Sequence, residues 1–259
     1  MKKLFSILFS AMLLSSLSVH AQLLERTRGI IASALKGVTY EVRAGFNVGG
    51  TAPLPIPKEI RSIDSYSPTM AFSIGADVKK KFDDRWGMQF GVRIESKGMK
   101  TEAQTKQYHM SITGFDGEQK TGYWTGRVKT NVSQSSITFP LLATYSISTR
   151  WDLKLGPYVS ILTDKEFTGS VFDGYLREDT PTGDKMDLTN GGVATYDFSN
   201  DMRRFQWGMQ LGAEWKAFKH LNVFGDLSWG CNNIFKSDFE TITFSMYPIY
   251  ATLGFGYAF

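Results

Sequence analysis

Between Val38 and Phe259 the chain contains eight segments in which bulky apolar residues alternate strictly with small or polar ones. A period of two puts successive side chains on opposite faces of a strand, whereas a helix would scatter both sets. In the first segment Val38, Tyr40, Val42, Ala44, Phe46 and Val48 alternate with Thr39, Glu41, Arg43, Gly45 and Asn47. The same phase separation recurs at 70–78, 86–94, 137–147, 151–161, 205–215, 221–229 and 247–259. The connections alternate as well. Asp83-Asp84-Arg85, Ser148-Thr149-Arg150 and a few residues around Phe218 make three tight hairpins, while the other four connections run about 12 to 40 residues. The apolar phases of paired strands match across the tight hairpins only if the turn has an odd number of residues, three or five. Short turns at one end and long loops at the other, on an even number of strands, predict an all-β fold: an eight-stranded antiparallel transmembrane β-barrel with short periplasmic turns and long extracellular loops.

Alternation alone leaves open whether the apolar phase faces lipid or fills the interior of a soluble barrel, and the polar phase decides. That phase is rich in Gly and Ser: Gly45, Ser73, Gly75, Gly91, Gly156, Gly212, Gly254 and Gly256 among them. The interior of eight strands is barely wide enough for side chains, so crowding favours small residues there and the bulky phase belongs outside. Glu41, Asp77, Glu95, Asp152, Glu214 and Asp226 then face Arg43, Lys79, Arg93, Lys97, Lys154 and Lys216 in the lumen. These charges are expected to form a paired structural filling, not an ion path, because unpaired buried charge is costly. Trp86, Trp151 and Trp215 fall at one depth beside the tight turns, as an interfacial girdle would place them. Thr241 to Phe259 is uncharged, but Pro248, Gly254, Gly256 and its two-residue period argue for a strand over a membrane helix. Its terminal aromatic resembles the signal read by the barrel assembly machinery during insertion. Pro140, Pro157 and Pro248 each remove a ladder donor. Pro140 and Pro157 fall close together on neighbouring strands, which predicts a shared bulge.

Residues 1–21 have the form of a secretory signal peptide, with Lys2 and Lys3, a short serine-diluted apolar stretch, and Val19-His20-Ala21 before the expected cleavage. Residues 22–37 carry Leu23, Leu24, Ile30, Ile31, Ala34 and Leu35 at roughly helical spacing, so this periplasmic N-terminal segment is read as a short helix or a tether, followed by the barrel domain at 38–259. The net charge of +4 falls to +2 once Lys2 and Lys3 are removed, which offers nothing to nucleic acid. One cysteine among 259 residues excludes a disulfide scaffold, and the lack of long apolar runs in the body excludes a multi-span helical protein.

The order and wording of seven short motifs resemble the PorT family of small outer-membrane β-barrel proteins of Bacteroidetes. They are Arg43-Ala44-Gly45-Phe46-Asn47, Ser65-Tyr66-Ser67-Pro68, Trp86-Gly87 to Ser96-Lys97-Gly98-Met99, Phe139-Pro140-Leu141-Leu142-Ala143, Leu155-Gly156-Pro157-Tyr158, Trp229-Gly230-Cys231-Asn232-Asn233-Ile234, and Leu253-Gly254-Phe255-Gly256-Tyr257-Ala258-Phe259. The resemblance implies a barrel in the outer membrane of a Gram-negative bacterium. The name-giving member is tied to secretion of proteins to the cell surface, and barrel resemblance alone does not transfer that role.

Specific function is expected on the long loops. Residues 51–67, with Pro53, Pro55 and Pro57, read as a stiff extended rim segment. Residues 99–133 read as a hairpin that prolongs the third and fourth strands, with Asp116-Gly117 near its turn. An exposed sheet carrying Tyr123 and Trp124 would offer a partner a surface; alternatively the two aromatics pack the hairpin or sit at the membrane interface. Residues 163–202, with nine acidic and three basic residues, read as a solvated loop. For a small envelope enzyme the conceivable set is His109, Ser111 and Asp116, whose spacing on a strand places no third group. The expectation is therefore a structural or surface-interaction protein with no catalytic, metal or cofactor residues. Its partners would be outer-membrane lipid and an unidentified surface or periplasmic protein. The rival classes are the envelope enzyme and a soluble periplasmic ligand-binding barrel.

Overall fold

The structure, a computed structural model, describes residues 37–69, 71–114 and 117–259. The proposed signal peptide, the segment 22–36, Met70 and Asp116 lie outside the described residues. Ten strands form one sheet. They are β1 (Val38–Pro53), β2 (Ile60–Pro68), β3 (Phe72–Lys81), β4 (Trp86–Thr113), β5 (Gln119–Ser146), β6 (Trp151–Glu178), β7 (Lys185–Asp197), β8 (Phe205–Lys216), β9 (Leu221–Gly230) and β10 (Met246–Ala258). Eight of them close a ring in the order β1-β3-β4-β5-β6-β8-β9-β10, and β10 returns to β1 from Glu41↔Ala258 to Pro53↔Met246. These eight correspond to the eight alternating segments of the sequence.

The three tight hairpins each turn through three residues. Phe82 N–H donates to Trp86 O (2.9 Å), Ile147 N–H to Trp151 O (3.0 Å) and Ala217 N–H to Leu221 O (3.0 Å). In the first turn Asp83 Oδ1 accepts the N–H groups of Arg85 (2.7 Å) and Trp86 (2.6 Å); Ser148 Oγ accepts those of Arg150 (3.3 Å) and Trp151 (3.2 Å) in the second. Short polar side chains that bond the backbone two or three residues on are what such turns need.

The bulky phase faces out. Phe46 is 65% exposed and Phe255 61%, whereas Glu41, Arg43 and Asp77 on the other phase are each 1% exposed. Trp151 pairs with Trp215 across β6 and β8 with their rings stacked at 6.3 Å, and Trp86 packs on Tyr145 at 4.8 Å, so the indoles form one girdle beside the short turns. The soluble-barrel alternative required the reverse arrangement.

The prolines cost rungs, not register. Pairing of β4 with β5 skips the level of Pro140 and resumes at Arg93↔Thr138 without a shift, and pairing of β5 with β6 skips the level of Pro157 in the same way. The expected shared bulge is absent at these prolines. The irregularity on this pair lies instead between Ser135 and Ser136, opposite Asp164 and Leu162. Pro248 stands where pairing of β10 with β9 ends, beside Gly230, so its missing donor interrupts no ladder bond.

Three strands overrun the membrane. About 9 to 11 residues suffice for a tilted crossing, yet β4, β5 and β6 each have 28. Beyond the crossing their upper parts continue as one sheet with β2, paired to β4, and β7, paired to β6 and touching β4 at Thr113↔Thr195. The expected hairpin at 99–133 forms, running from Met99↔Val132 to Thr113↔Gln119. One expectation is corrected. Residues 163–202 are not a solvated loop but the upper part of β6, the strand β7 and a short 3-10 turn at Ser199–Asp201. The rim at 51–67, read as extended, holds most of a strand, β2. The apolar residues between the charges of 163–202, Phe167, Val171, Leu176, Leu188 and Tyr196, have a core to enter, whereas β2 is exposed along nearly its whole length.

Candidate functional site

Within the membrane the interior is packed with charge. Arg43 lies at its centre, pairing with Asp77 (3.0 Å) and Asp226, with its guanidinium 3.5 Å over the ring of Phe224. Lys154 bonds Asp226 (3.1 Å) and Glu214 (3.3 Å); Lys79 bridges Glu41 (2.8 Å) and Glu214; Arg93 lies 3.6 Å from Asp77 and 3.7 Å from Asp226. Lys97 pairs with Glu95 (2.8 Å) above this centre and Lys216 with Asp152 (2.7 Å) below it. All twelve charges assigned to the lumen from the sequence take part in ion pairs. The crossing charges also explain the glycines. A Cβ on Gly91 would lie 2.0 Å from Asp77 Oδ1, one on Gly212 2.0 Å from Asp226 Oδ1, and one on Gly256 2.5 Å from the Glu41 carboxyl carbon. Each carboxylate folds down over a glycine of the neighbouring strand.

Above Lys97 the inward phase changes character. On β4 it runs from Gln89, Arg93, Glu95 and Lys97 to Met99, Met110 and Ile112; on β5 it runs from Thr138, Ser136 and Gln134 to Val132, Val128 and Trp124. The same strands that are apolar outside and charged inside within the membrane enclose an apolar core beyond it, joined by Phe235 and Ile242 from the connection after β9 and by Met246 at the start of β10.

This placement settles where the loop aromatics sit. Trp124 is fully buried in that core, and Tyr123 is half-buried with its ring edge-on to His109 at 5.2 Å, so the exposed Tyr123 and Trp124 surface does not form. His109 Nδ1 lies 3.1 Å from Thr241 O, and Ser111 Oγ accepts hydrogen bonds from Gln119 (2.9 Å) and Thr121 (3.1 Å). The imidazole and hydroxyl are thus engaged with other groups, and Asp116 is outside the described residues. At the opposite end His220 stacks on Tyr257 and pairs with Ala258 O at 2.7 Å. Among the described residues no cluster of His, Cys, Asp or Glu is grouped to hold a metal ion.

Two features of the outer part were not read from the sequence. The first is a cleft where β3 stops at Phe72. Its place along β4 is taken by β2, and among the described residues no ladder joins β2 to β1. Tyr66 Oη donates to Gly49 O (2.6 Å) at the foot of this gap, and an apolar cavity of 330 Å³ lies above it, lined by Gly50, Ile60, Ile63, Met99 and Phe244. The second is a basic recess beside the start of β8, lined by Lys165, Arg203, Arg204 and Lys236. The adjacent basic pair Arg203-Arg204 just before an outward aromatic, Phe205, was the available signal for it.

No curated protein matches the sequence. Among solved structures, the attachment invasion locus protein Ail of Yersinia pestis is 11% identical, with 85% of this chain and 98% of that one covered at a TM-score of 0.38. OprG of Pseudomonas aeruginosa is 13% identical, with 86% and 97% covered at 0.29. The protease OmpT of Escherichia coli is 9% identical, with 86% and 97% covered at 0.33. Superpositions this loose carry no residue across. The family model described as an outer membrane protein beta-barrel domain matches residues 20–236, most of the chain including seven of the eight ring strands, and the chain belongs to that family.

Proposed function

We propose that this protein is a non-conducting outer-membrane barrel whose task is carried by the folded sheet it holds at the cell surface, where it meets a partner. The observation behind this reading is the change of the inward phase at Lys97 and Met99, from paired charge to an apolar core. A barrel serving only to fill membrane would need no packed sheet beyond the bilayer, and a pore would need an open lumen. The finer assignment to PorT-like proteins of Bacteroidetes rests on the seven motifs between Arg43 and Phe259, and no secretion role is drawn from it.

The chain carries its own probe of orientation, since Cys231 is its one cysteine and is exposed just beyond β9. A membrane-impermeant maleimide should label Cys231 on intact cells, and the purified protein should give no steady current in planar bilayers. Labelling only after the outer membrane is permeabilised would place the sheet in the periplasm, and a stable conductance would show that the lumen is not closed.

A further inference from the structure

The buried charges of this molecule are paired, whereas the recess beside β8 gathers two half-buried cations, Lys165 and Arg203, and two exposed ones, Arg204 and Lys236, with no acid among them. Lys165 projects from β6 just above the irregularity at Asp164, Arg203 and Arg204 lie between the 3-10 turn and β8, and Lys236 lies in the connection after β9. Among the described residues none of the four has an acidic side chain within ion-pair distance. Lys165 donates only to the carbonyls of Asn200 (3.2 Å) and Met202 (2.7 Å), and Arg203 donates through Nε to Phe235 O (2.6 Å), leaving its terminal nitrogens to the recess. Burial lowers the Lys165 ammonium from its ordinary value and Lys236 and Arg204 push it the same way, with Asp201 the one acid opposing them.

The frame is rigid. Met202 bridges to Phe235, both buried; Arg203 N–H donates to Ile234 O (2.7 Å), Lys236 N–H to Asp201 O (2.8 Å) and Leu162 N–H to Arg204 O (2.8 Å). Asn232 completes it, accepting from Trp207 N–H (3.0 Å) and donating to Phe205 O (3.1 Å). Like charges gathered on a fixed frame without counter-charge repel one another, which an anion relieves.

The position selects the anion. Phe205 and Trp207, 52% and 46% exposed, line the same recess and are the first outward-phase residues of β8, continuous with the lipid-facing belt. Aromatic side chains at the edge of an apolar belt mark headgroup depth. Arginine forks match phosphate oxygens in pairs, and lysine adds point charge. We propose that Lys165, Arg203, Arg204 and Lys236 form a binding site for the phosphate of an outer-leaflet glycolipid, whose acyl chains lie along Phe205 and Trp207. The lipid is committed to over a free anion because the recess opens onto the belt.

The site rests on the outward placement of the sheet, which Cys231 labelling tests separately. The full-length protein in non-ionic micelles, verified as folded by its heat-modifiable mobility, is titrated with diphosphoryl lipid A and with the same lipid lacking its phosphates, and retained lipid is read by native mass spectrometry. The phosphorylated lipid should bind about tenfold or more tightly than the other. That preference should vanish in the combined variant Arg203→Gln, Arg204→Gln, Lys236→Gln and persist in Lys58→Gln, Lys106→Gln, which removes two cations from another recess. Preference retained in the triple variant, or lost equally in the control, overturns the proposal. Displacement of the lipid by inorganic phosphate at matching concentration overturns the choice of a lipid headgroup.

Discussion

Arg43 has no solvent to turn to, and its neighbours determine what any one of them is worth. Asp226 alone meets Arg43, Arg93 and Lys154, so Asp226→Asn would leave three buried cations short of one charge. Removing one partner of such a cluster costs about 3–5 kcal/mol, because the remaining charges are stranded. The gel band of the folded form should therefore convert to the unfolded one at a clearly lower temperature. Gly212→Ala should act in the same direction without removing a charge, since the new Cβ meets Asp226 Oδ1. An unchanged conversion temperature in both variants would mean that the lumen network is dispensable. These residues were legible in the sequence because lumen charges and lumen glycines share one phase of the alternation. Which acid lies over which glycine was not legible, since it depends on strand register.

At the scale of the elements, the eight crossings were legible from periodicity, and their three-residue turns from phase matching. Above the membrane the hairpin at 99–133 was legible too, and the rest was not. The residues of β7 and the upper part of β6 carry many charges, and composition alone reads such a stretch as solvated. The apolar phase of Phe167, Val171, Leu176 and Leu188 becomes meaningful only once β4 and β5 are known to curl over it. Of the two environments left open for Trp124, the packed one forms, and its core likewise depends on that closure. Trp124→Ala should cost the outer sheet about 3–5 kcal/mol. Added protease should then trim the protein on intact cells within this sheet, while the remaining barrel keeps its heat-modifiable mobility. Resistance equal to the unaltered protein would argue against a cooperative outer core. The tight turns differ in pH response. The N–H groups of Trp86 and then Arg85 hold the Asp83 carboxyl below its ordinary value. A lowered folded value means that this turn's stabilisation is present above the ordinary carboxylate range and is lost as pH falls through the lowered value. Amide exchange at Trp86, corrected for its intrinsic pH dependence, should lose protection on acidification. That at Trp151, bonded to the Ser148 hydroxyl, should not.

For the whole molecule the decisive fact is one of polarity: charge inside and apolar surface outside across the crossing, with the reverse beyond it. The rule of small residues in a narrow lumen was enough to orient the barrel from sequence. The addition of β2 and β7 to the outer sheet, the cleft beside β2 and the basic recess were not legible; the recess frame, for one, depends on Met202↔Phe235, a pairing distant in sequence that no local pattern carries. The central claim is that the apolar phase faces lipid around a closed ring. Membrane fractionation combined with gel mobility before and after boiling tests it most directly, because a closed membrane barrel withstands detergent until heated. The protein should be recovered with the outer membrane and migrate differently before and after boiling. Recovery in the soluble periplasm with one mobility throughout would contradict it.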